Sequence, residues 1–367
     1  MILMNDFKAE PLQLRETVLK AVKRVVDSGW YVLGNEVSAF EKQWAATCGV
    51  AYGVGVGNGM DAIEIALRAL NIGPGDEVIT TPITAFATVL AIYRAGATPV
   101  LADIDPGTAL ISIDSAGRCI TPRTKAIVLV HLYGQVRSMD LWTVFCAKHG
   151  VTLIEDCAQA HQATWHGRVA GSFGMVGAYS FYPTKNLGAL GDAGMLVTDD
   201  EMLAERAGRL RNYGQTSRYH HPVLGLNSRL DELQAAILAA RSKWLPQFTE
   251  RRQEVAVAYR KGIRNPDVVC LVGPQDPMAH VYHLFVVTCD KRDALQSHLQ
   301  DHQVQTLIHY PIPVHAQEPC RNVARDPQGL VNSQHHALTC LSLPCHPQMT
   351  SKDIAAVISA VNTFQGA

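Results

Sequence analysis

What most narrows the fold of this chain is an alternation of short apolar strand, tight turn and amphipathic helix that recurs between residues 51 and 198. Residues 51–56 read as an apolar strand, Gly57-Asn58-Gly59 turns it, and residues 61–70 read as a helix stopped by Gly73-Pro74-Gly75. A strand follows at 77–80, then a helix running through Ala91 and a strand at 98–103. Next come a strand at 125–132, a helix at 138–149 and a strand at 151–155, with two more strands expected near 176–181 and 194–198. Parallel neighbours need a long crossover, usually a helix, so the pattern predicts an α/β fold with a mostly parallel central sheet sandwiched by helices.

The flanks differ from this centre. Leu14, Val18, Ala21, Val22 and Val25 share one helical face that Ser28-Gly29 terminates, and Val37, Phe40 and Trp44 mark a second amphipathic helix. From about Pro246 a long helix leads to an apolar run at 282–287, a helix near Ala294, a segment at 303–309 and a last helix at 351–364. The expected division is therefore an N-terminal arm with a large α/β domain over 1–245, and a smaller α+β domain over 246–367.

Charge excludes some partners. Lys and Arg number 32 against 33 Asp and Glu, a formal net charge of -1, so no broad basic field is available for nucleic acid or an anionic membrane surface. The opening Met1-Ile2-Leu3-Met4-Asn5-Asp6-Phe7 has neither a basic leader nor an export-length apolar run, and no later stretch approaches the ~20 apolar residues of a spanning helix. A cytoplasmic protein is expected. The nine cysteines include no C-x-x-C pair and read as reduced thiols packing as small hydrophobes, Cys157 among them.

The chemistry concentrates on two residues. Lys185 lies in the polar turn Tyr182-Pro183-Thr184-Lys185-Asn186-Leu187-Gly188, directly after an apolar stretch. Asp156 ends the buried strand in Ile154-Glu155-Asp156-Cys157-Ala158-Gln159-Ala160-His161. A lysine amine in a cleft can form a Schiff base with a carbonyl cofactor, and a strand-end aspartate can hold a pyridine nitrogen protonated. Together they read as a pyridoxal-phosphate site; apart, they would be a loop lysine and an unrelated aspartate. Gly57-x-Gly59-x-x-Ala62 formally fits a relaxed dinucleotide fingerprint, but that motif needs an acidic residue at the carboxyl end of the next strand, about 20 residues on. Here Asp76 and Glu77 stand at the amino end of that strand and its carboxyl end reads Thr80-Thr81-Pro82. What survives is general: the free amides of a helix N-terminus bind phosphate, and a pyridoxal-phosphate ester matches the lysine and aspartate.

Further blocks carry a family resemblance. They are Ser28-Gly29-Trp30-Tyr31-Val32-Leu33-Gly34-Asn35-Glu36-Val37, Gly57-Asn58-Gly59-Met60-Asp61-Ala62, His131-Leu132-Tyr133-Gly134-Gln135, the Asp156 and Lys185 motifs, Gly225-Leu226-Asn227-Ser228-Arg229-Leu230-Asp231 and His309-Tyr310-Pro311-Ile312-Pro313. In this order the chain resembles the sugar aminotransferases of the DegT/DnrJ/EryC1/StrS type, within the aspartate-aminotransferase fold (fold-type I). The resemblance implies that Lys185 holds the cofactor and, once displaced, moves the proton, while Asp156 keeps the pyridine nitrogen charged. It also implies that Gln159 bonds the ring hydroxyl, that the Gly59 and Met60 amides and Ser180 take the phosphate, and that Asn227 reaches the cofactor of a neighbouring subunit in a homodimer. The substrates implied are L-glutamate and a nucleotide-linked keto sugar, most similar to C3 of a dTDP-3-keto-6-deoxyhexose. A 4-keto-6-deoxyhexose, a UDP-linked 3-keto sugar or scyllo-inosose would suit the same framework. A cofactor-binding sugar dehydratase or a regulatory protein is the other class, and the dehydratase relatives place His where Lys185 stands.

Two positions depart from the family pattern. Met60 replaces a usual Thr or Ser, which leaves the phosphate to backbone amides there. In Thr81-Pro82-Ile83-Thr84-Ala85-Phe86-Ala87-Thr88 the spacing of the ring-stacking aromatic differs by one residue; Phe86 is the expected stacking residue and Ala85 the alternative. For the sugar or nucleotide pocket the candidates are His161, Tyr182, Tyr213, Tyr219, His220, His309 and Tyr310, each able instead to be structural. No metal is expected, since neither His220-His221 nor His335-His336 has the spacing and carboxylate support of a zinc site.

Overall fold

The computed structural model describes residues 1–366. Its centre is an eight-stranded sheet built from β1 (Tyr52–Val56), β2 (Glu77–Thr80), β3 (Thr98–Leu101), β4 (Thr124–Val130) and β5 (Thr152–Asp156), with further strands from later in the chain. A small hairpin, β6 (Thr164–Trp165) and β7 (Arg168–Val169), precedes β8 (Val176–Ser180) and β9 (Gly194–Thr198). The strand order is β1-β9-β8-β5-β4-β2-β3 plus an edge strand discussed below. Only β9 runs antiparallel to its neighbours in this sheet.

Both faces are covered, and the side-chain alternation shows by what. Along β4, Ala126 and Val128 pack into one apolar layer while Ile127 and Leu129 pack into the other. The first layer is closed by helices at Gly59–Ala69, Phe86–Arg94 and Glu201–Leu210; the second by helices at Asn35–Cys48, Met139–His149 and Glu232–Ser242. A helix at Leu12–Ser28 buries Leu14, Val18, Ala21 and Val25 against the Glu232–Ser242 helix and ends at Gly29. Gly29 is in the left-handed conformation at φ 64°, which glycine adopts without strain.

The chain after the long helix Leu245–Gly262 forms its own antiparallel sheet of β10 (Val269–Cys270), β11 (Phe285–Thr288) and a strand at Cys340–Leu343, packed on helices at Arg292–Asp301 and Ser351–Thr363. Two features of this part were not assigned from sequence. Residues 303–309 form no regular strand and make isolated bridges, Val304 with Ile2 and Leu307 with Ser342. And β12 (Ala324–Arg325) returns to the large sheet as its edge, parallel to β3.

Two buried carboxylates tie that return in place. Asp326 accepts bonds from Ser115, Gln328 N (2.9 Å) and Arg118, with Arg118 Nε at 2.9 Å. Asp103 accepts from Asn332 N (3.0 Å) and Ser333 N (2.9 Å), at the start of a helix at Val331–Thr339. The Arg118 guanidinium holds the Asp326 carboxyl down at about 2, from 3.8. Its folded pKa is depressed, so its contribution is present above 3.8 and is lost as pH falls through about 2. Asp326→Asn should therefore lower the urea midpoint at pH 7, and variant and parent should converge as pH falls through that window. A gap that stays constant down to pH ~2 would contradict the latch.

Candidate active site

The site is built at the carboxyl ends of the parallel strands, where open α/β sheets bind ligands. In β5 and β8, paired with Asp156 opposite Ala178, Ile154, Val176 and Ala178 face the first apolar layer. Period two sends Asp156 and Ser180 to that same face, toward the N-termini of the Gly59–Ala69 and Phe86–Arg94 helices.

Asp156 is buried, and both of its oxygens are engaged. Oδ2 accepts from Thr88 Oγ1 at 2.8 Å and Oδ1 from Ala158 N at 3.1 Å. At the neighbouring helix start Asn58 caps the Asp61 amide at 2.9 Å, which leaves the Gly59 and Met60 amides as first-turn donors with no intrahelical acceptor. Gly59 is required sterically: a Cβ there would lie 2.6 Å from the Ser180 Cβ. The Met60 side chain packs against the first apolar layer, so the backbone is what this residue presents to the turn. A phosphate ester fits here, against amides, helix dipole and a hydroxyl.

Lys185 is held by its turn. Its N–H bonds Tyr182 O (2.8 Å), Ala189 N bonds Phe181 O (2.8 Å), and the Asn186 amide donates to Val281 O (2.9 Å). Burial pushes the Lys185 amine down to about 8, with the Asp156 charge opposing the shift. Gln159 is buried beside them; its Oε1 accepts from Tyr133 N at 2.6 Å and its Nε2 donates to Tyr310 OH at 3.3 Å. Tyr310 is pushed up to about 12 by burial and then by the Asp156 charge. His309 bonds Ser342 Oγ through Nδ1 (2.8 Å) and is pulled down to about 4 by burial and the Lys185 charge.

Two expected site residues face elsewhere. Phe86 packs against Val89, Leu101, Val314 and Leu330. It sits two residues before Thr88, about 200° around the helix from the side chain that meets Asp156, so it cannot share that face. Ala85 is the residue just before this helix, at its N-cap. His161 is fully buried among Trp44, Tyr179 and Phe181, ring centroids 5.8, 5.6 and 5.5 Å away. Those residues belong to the second apolar layer, so His161 lies behind the sheet from Asp156, where burial pulls it down to about 3. It is a core residue and not a substrate contact.

Tyr182, Tyr213, Tyr219, His220 and Asn227 are exposed. The last four lie on one excursion whose ends are joined by an Asn212–Asn227 bridge, with His220 Nδ1 bonded to Thr216 Oγ1 at 2.9 Å and Arg229 stacked over Tyr213. His131, Glu155 and Cys157 bring three potential metal donors within 4.8 Å of one another. The Glu155 carboxylate is already filled by His131 Nε2 and the amides of Gly171, Phe173 and Gly174, at 2.7–2.8 Å, and it serves to close the 171–174 turn onto β5. Thr88 is the site residue that sequence reasoning passed over. Its signal was present in Thr84-x-x-x-Thr88, two hydroxyls one helical turn apart in an otherwise apolar run.

Comparison with known proteins agrees with this arrangement. Residues 12–362 match the model of the DegT/DnrJ/EryC1/StrS aminotransferase family. The chain belongs to that family. It is 44% identical to the dTDP-3-amino-3,6-dideoxy-alpha-D-galactopyranose transaminase of Aneurinibacillus thermoaerophilus, over 99% of each chain. It is 41% identical to the UDP-N-acetyl-3-dehydro-alpha-D-glucosamine 3-aminotransferase of Acidithiobacillus ferrooxidans, over 98% of this chain and 96% of the relative. The crystal structure of S. venezuelae DesV in complex with a ketimine intermediate superposes with a TM-score of 0.94 at 42% identity, covering 98% of this chain and 97% of that one. Membership of this aminotransferase family makes the group that fits the site pyridoxal phosphate. The helix-start amides and Ser180 are the groups that would suit its phosphate, and Asp156 the group that would suit its ring nitrogen.

A Lys185 amine at about 8 sets how the apoprotein captures its cofactor. The neutral amine is the nucleophile, so the rate of covalent capture of added pyridoxal phosphate should climb with pH and level off above about 8. A midpoint near the ordinary lysine value of 10.5 would contradict the burial described here.

Proposed function

We propose that this aminotransferase moves an amino group from L-glutamate to C3 of a dTDP-linked 3-keto-6-deoxyhexose, working as a homodimer with shared active sites. The observation that carries amino transfer is that Lys185, on the turn after β8, lies within reach of the charge of Asp156 at the end of the neighbouring β5, beside a helix start that suits phosphate. The choice of a dTDP 3-keto sugar rests on the 44% identity to the dTDP-3-amino-3,6-dideoxy-galactose transaminase.

When bound, pyridoxal phosphate supplies an electron-withdrawing ring that stabilises negative charge at the substrate carbon. Asp156 orients the ring and holds the proton at its nitrogen. Lys185 secures the cofactor between turnovers and, as a free amine, carries the proton to and from the substrate carbon. The Gly59 and Met60 amides and the Ser180 hydroxyl anchor the phosphate. Gln159, already positioned by Tyr133 and Tyr310, keeps an N–H for the ring hydroxyl. Tyr182, His309 and Tyr310 line the substrate side, and Tyr213, Tyr219, His220 and Asn227 reach it from the second subunit.

The homodimer reading draws on surface chemistry. Trp30, Tyr31, Tyr182, Leu190, Tyr219 and Leu224 are large, mainly apolar side chains left exposed on the single chain, surface that a second copy could cover. Among the described residues no helix is long and apolar enough to cross a membrane.

Visible absorbance of the loaded protein tests the substrate. Excess glutamate should bleach the band, and a dTDP-linked 3-keto-6-deoxyhexose should restore it at least about tenfold faster than 4-keto or UDP-linked 3-keto sugars. Recovery with one of those alternatives would reassign the ring position or the nucleotide, and no recovery with any sugar would overturn the sugar reading.

A further inference from the structure

We infer that Thr88, supported by Thr84, is a positioning residue that holds Asp156 in the orientation and charge state the cofactor ring needs. The inference rests on the pyridoxal-phosphate reading above and concerns side chains to which that reading gives no role.

Three buried groups form a line: Thr84 Oγ1 and Thr88 Oγ1 are 2.9 Å apart, and Thr88 Oγ1 is 2.8 Å from Asp156 Oδ2. The direction of the protons follows from what each group can do. An ionised carboxylate only accepts, so the single Thr88 proton goes to Asp156. The Thr88 oxygen can then receive only a donated proton from Thr84. The line therefore runs one way, Thr84 to Thr88 to Asp156, and it ends on negative charge. Bonds of this sort, ending on an ionised acceptor and shielded from water, are stronger than neutral ones.

Geometry makes the contact specific. The Ala158 amide takes Oδ1 from the chain's own turn, while Thr88 takes Oδ2 from a different element, the Phe86–Arg94 helix. With each oxygen fixed by one donor, the plane of the carboxylate is set and acceptor capacity remains on both oxygens. Around Thr88, the residues Val89, Ala91 and Ile92 are fully buried and apolar, so a valine would fill the same space as the threonine. Packing alone gives no reason for a hydroxyl here. The other ionisable groups that the Asp156 charge reaches are Lys185, from the turn after β8, Tyr310, and the neighbouring buried Cys157, whose thiol burial pushes up.

The line acts on the ring through charge. By favouring the ionised form of Asp156, Thr88 favours the proton on the pyridine nitrogen. A protonated ring nitrogen in turn repels positive charge on the lysine-bound nitrogen. Removing the Thr88 hydroxyl should relax that repulsion, and the pH midpoint of the visible band should rise.

Thr88→Val tests this in the loaded protein, read by turnover and by the pH titration of the visible band. We expect cofactor binding to persist and turnover to fall about tenfold to a hundredfold, the worth of a hydrogen bond to a charged group. Both half-reactions should slow together, with an upward shift of the band's midpoint. Thr88→Ser, which restores the proton, should recover turnover to within about threefold of the parent, and Thr84→Val should shift both readouts in the same direction by less. A Thr88→Val protein with the parental titration and turnover would overturn the inference. So would a Ser variant as impaired as the Val variant, which would make the methyl group the important part. Should Thr88→Val fail to fold, Thr84→Val carries the same test, and an unshifted titration in it would count against the line. A parent protein that shows no visible band when loaded would fail the cofactor reading itself, and is told apart from these outcomes because no variant is needed to see it.

Discussion

The alternation of side chains along a β-strand is the constraint on which the rest of the site depends. Because successive residues point to opposite faces, the neighbours Glu155 and Asp156 are sent to different chemistry. Glu155 faces the second apolar layer, where His131 and three backbone amides consume its oxygens. Asp156 faces the first layer, where two donors orient it and acceptor capacity remains on both oxygens. The parallel pairing of β5 with β8 extends the rule to Ser180 and puts it on the same side. A one-residue slip in either strand would exchange these roles entirely.

Burial then sorts the ionisable groups. His161 and His309 are pulled down to about 3 and about 4, and Tyr310 is pushed up to about 12. All three are neutral at physiological pH. The charge that remains in the cleft is that of Asp156 and of Lys185, whose amine at about 8 is poised to change protonation during a reaction. An electron-sink mechanism needs that division, with one fixed negative charge and one mobile proton among groups that do not compete for it.

Much of this was legible in the sequence, and the failures have identifiable causes. The strand-turn-helix rhythm carried the sheet because its short apolar runs alternate with amphipathic helices and glycine- and proline-containing turns. Asp156 was legible because it ends an apolar strand, and Lys185 because it stands in the polar turn that follows one. Phe86 misled because helical phase, and not residue type, decides what faces a site: a displacement of one residue rotates a side chain by about 100°. His161 misled because its motif runs past the strand end into a turn that folds behind the sheet. The edge strand at 324–325 is two residues long and gives no periodic signal, and the 303–309 segment has apolar residues but pairs only at isolated points. Tyr213, Tyr219 and His220 were expected at the substrate pocket, and the structure places them exposed on an excursion closed by the Asn212–Asn227 bridge.

The central claim is that Asp156 holds a proton on the ring nitrogen of the bound cofactor. Nitrogen-15 NMR of the protein loaded with cofactor labelled at that nitrogen measures it directly. The account predicts a pyridinium signal that persists through neutral pH in the parent and is lost in Asp156→Asn. A neutral pyridine signal in the parent, or a pyridinium signal unchanged by that substitution, would contradict it.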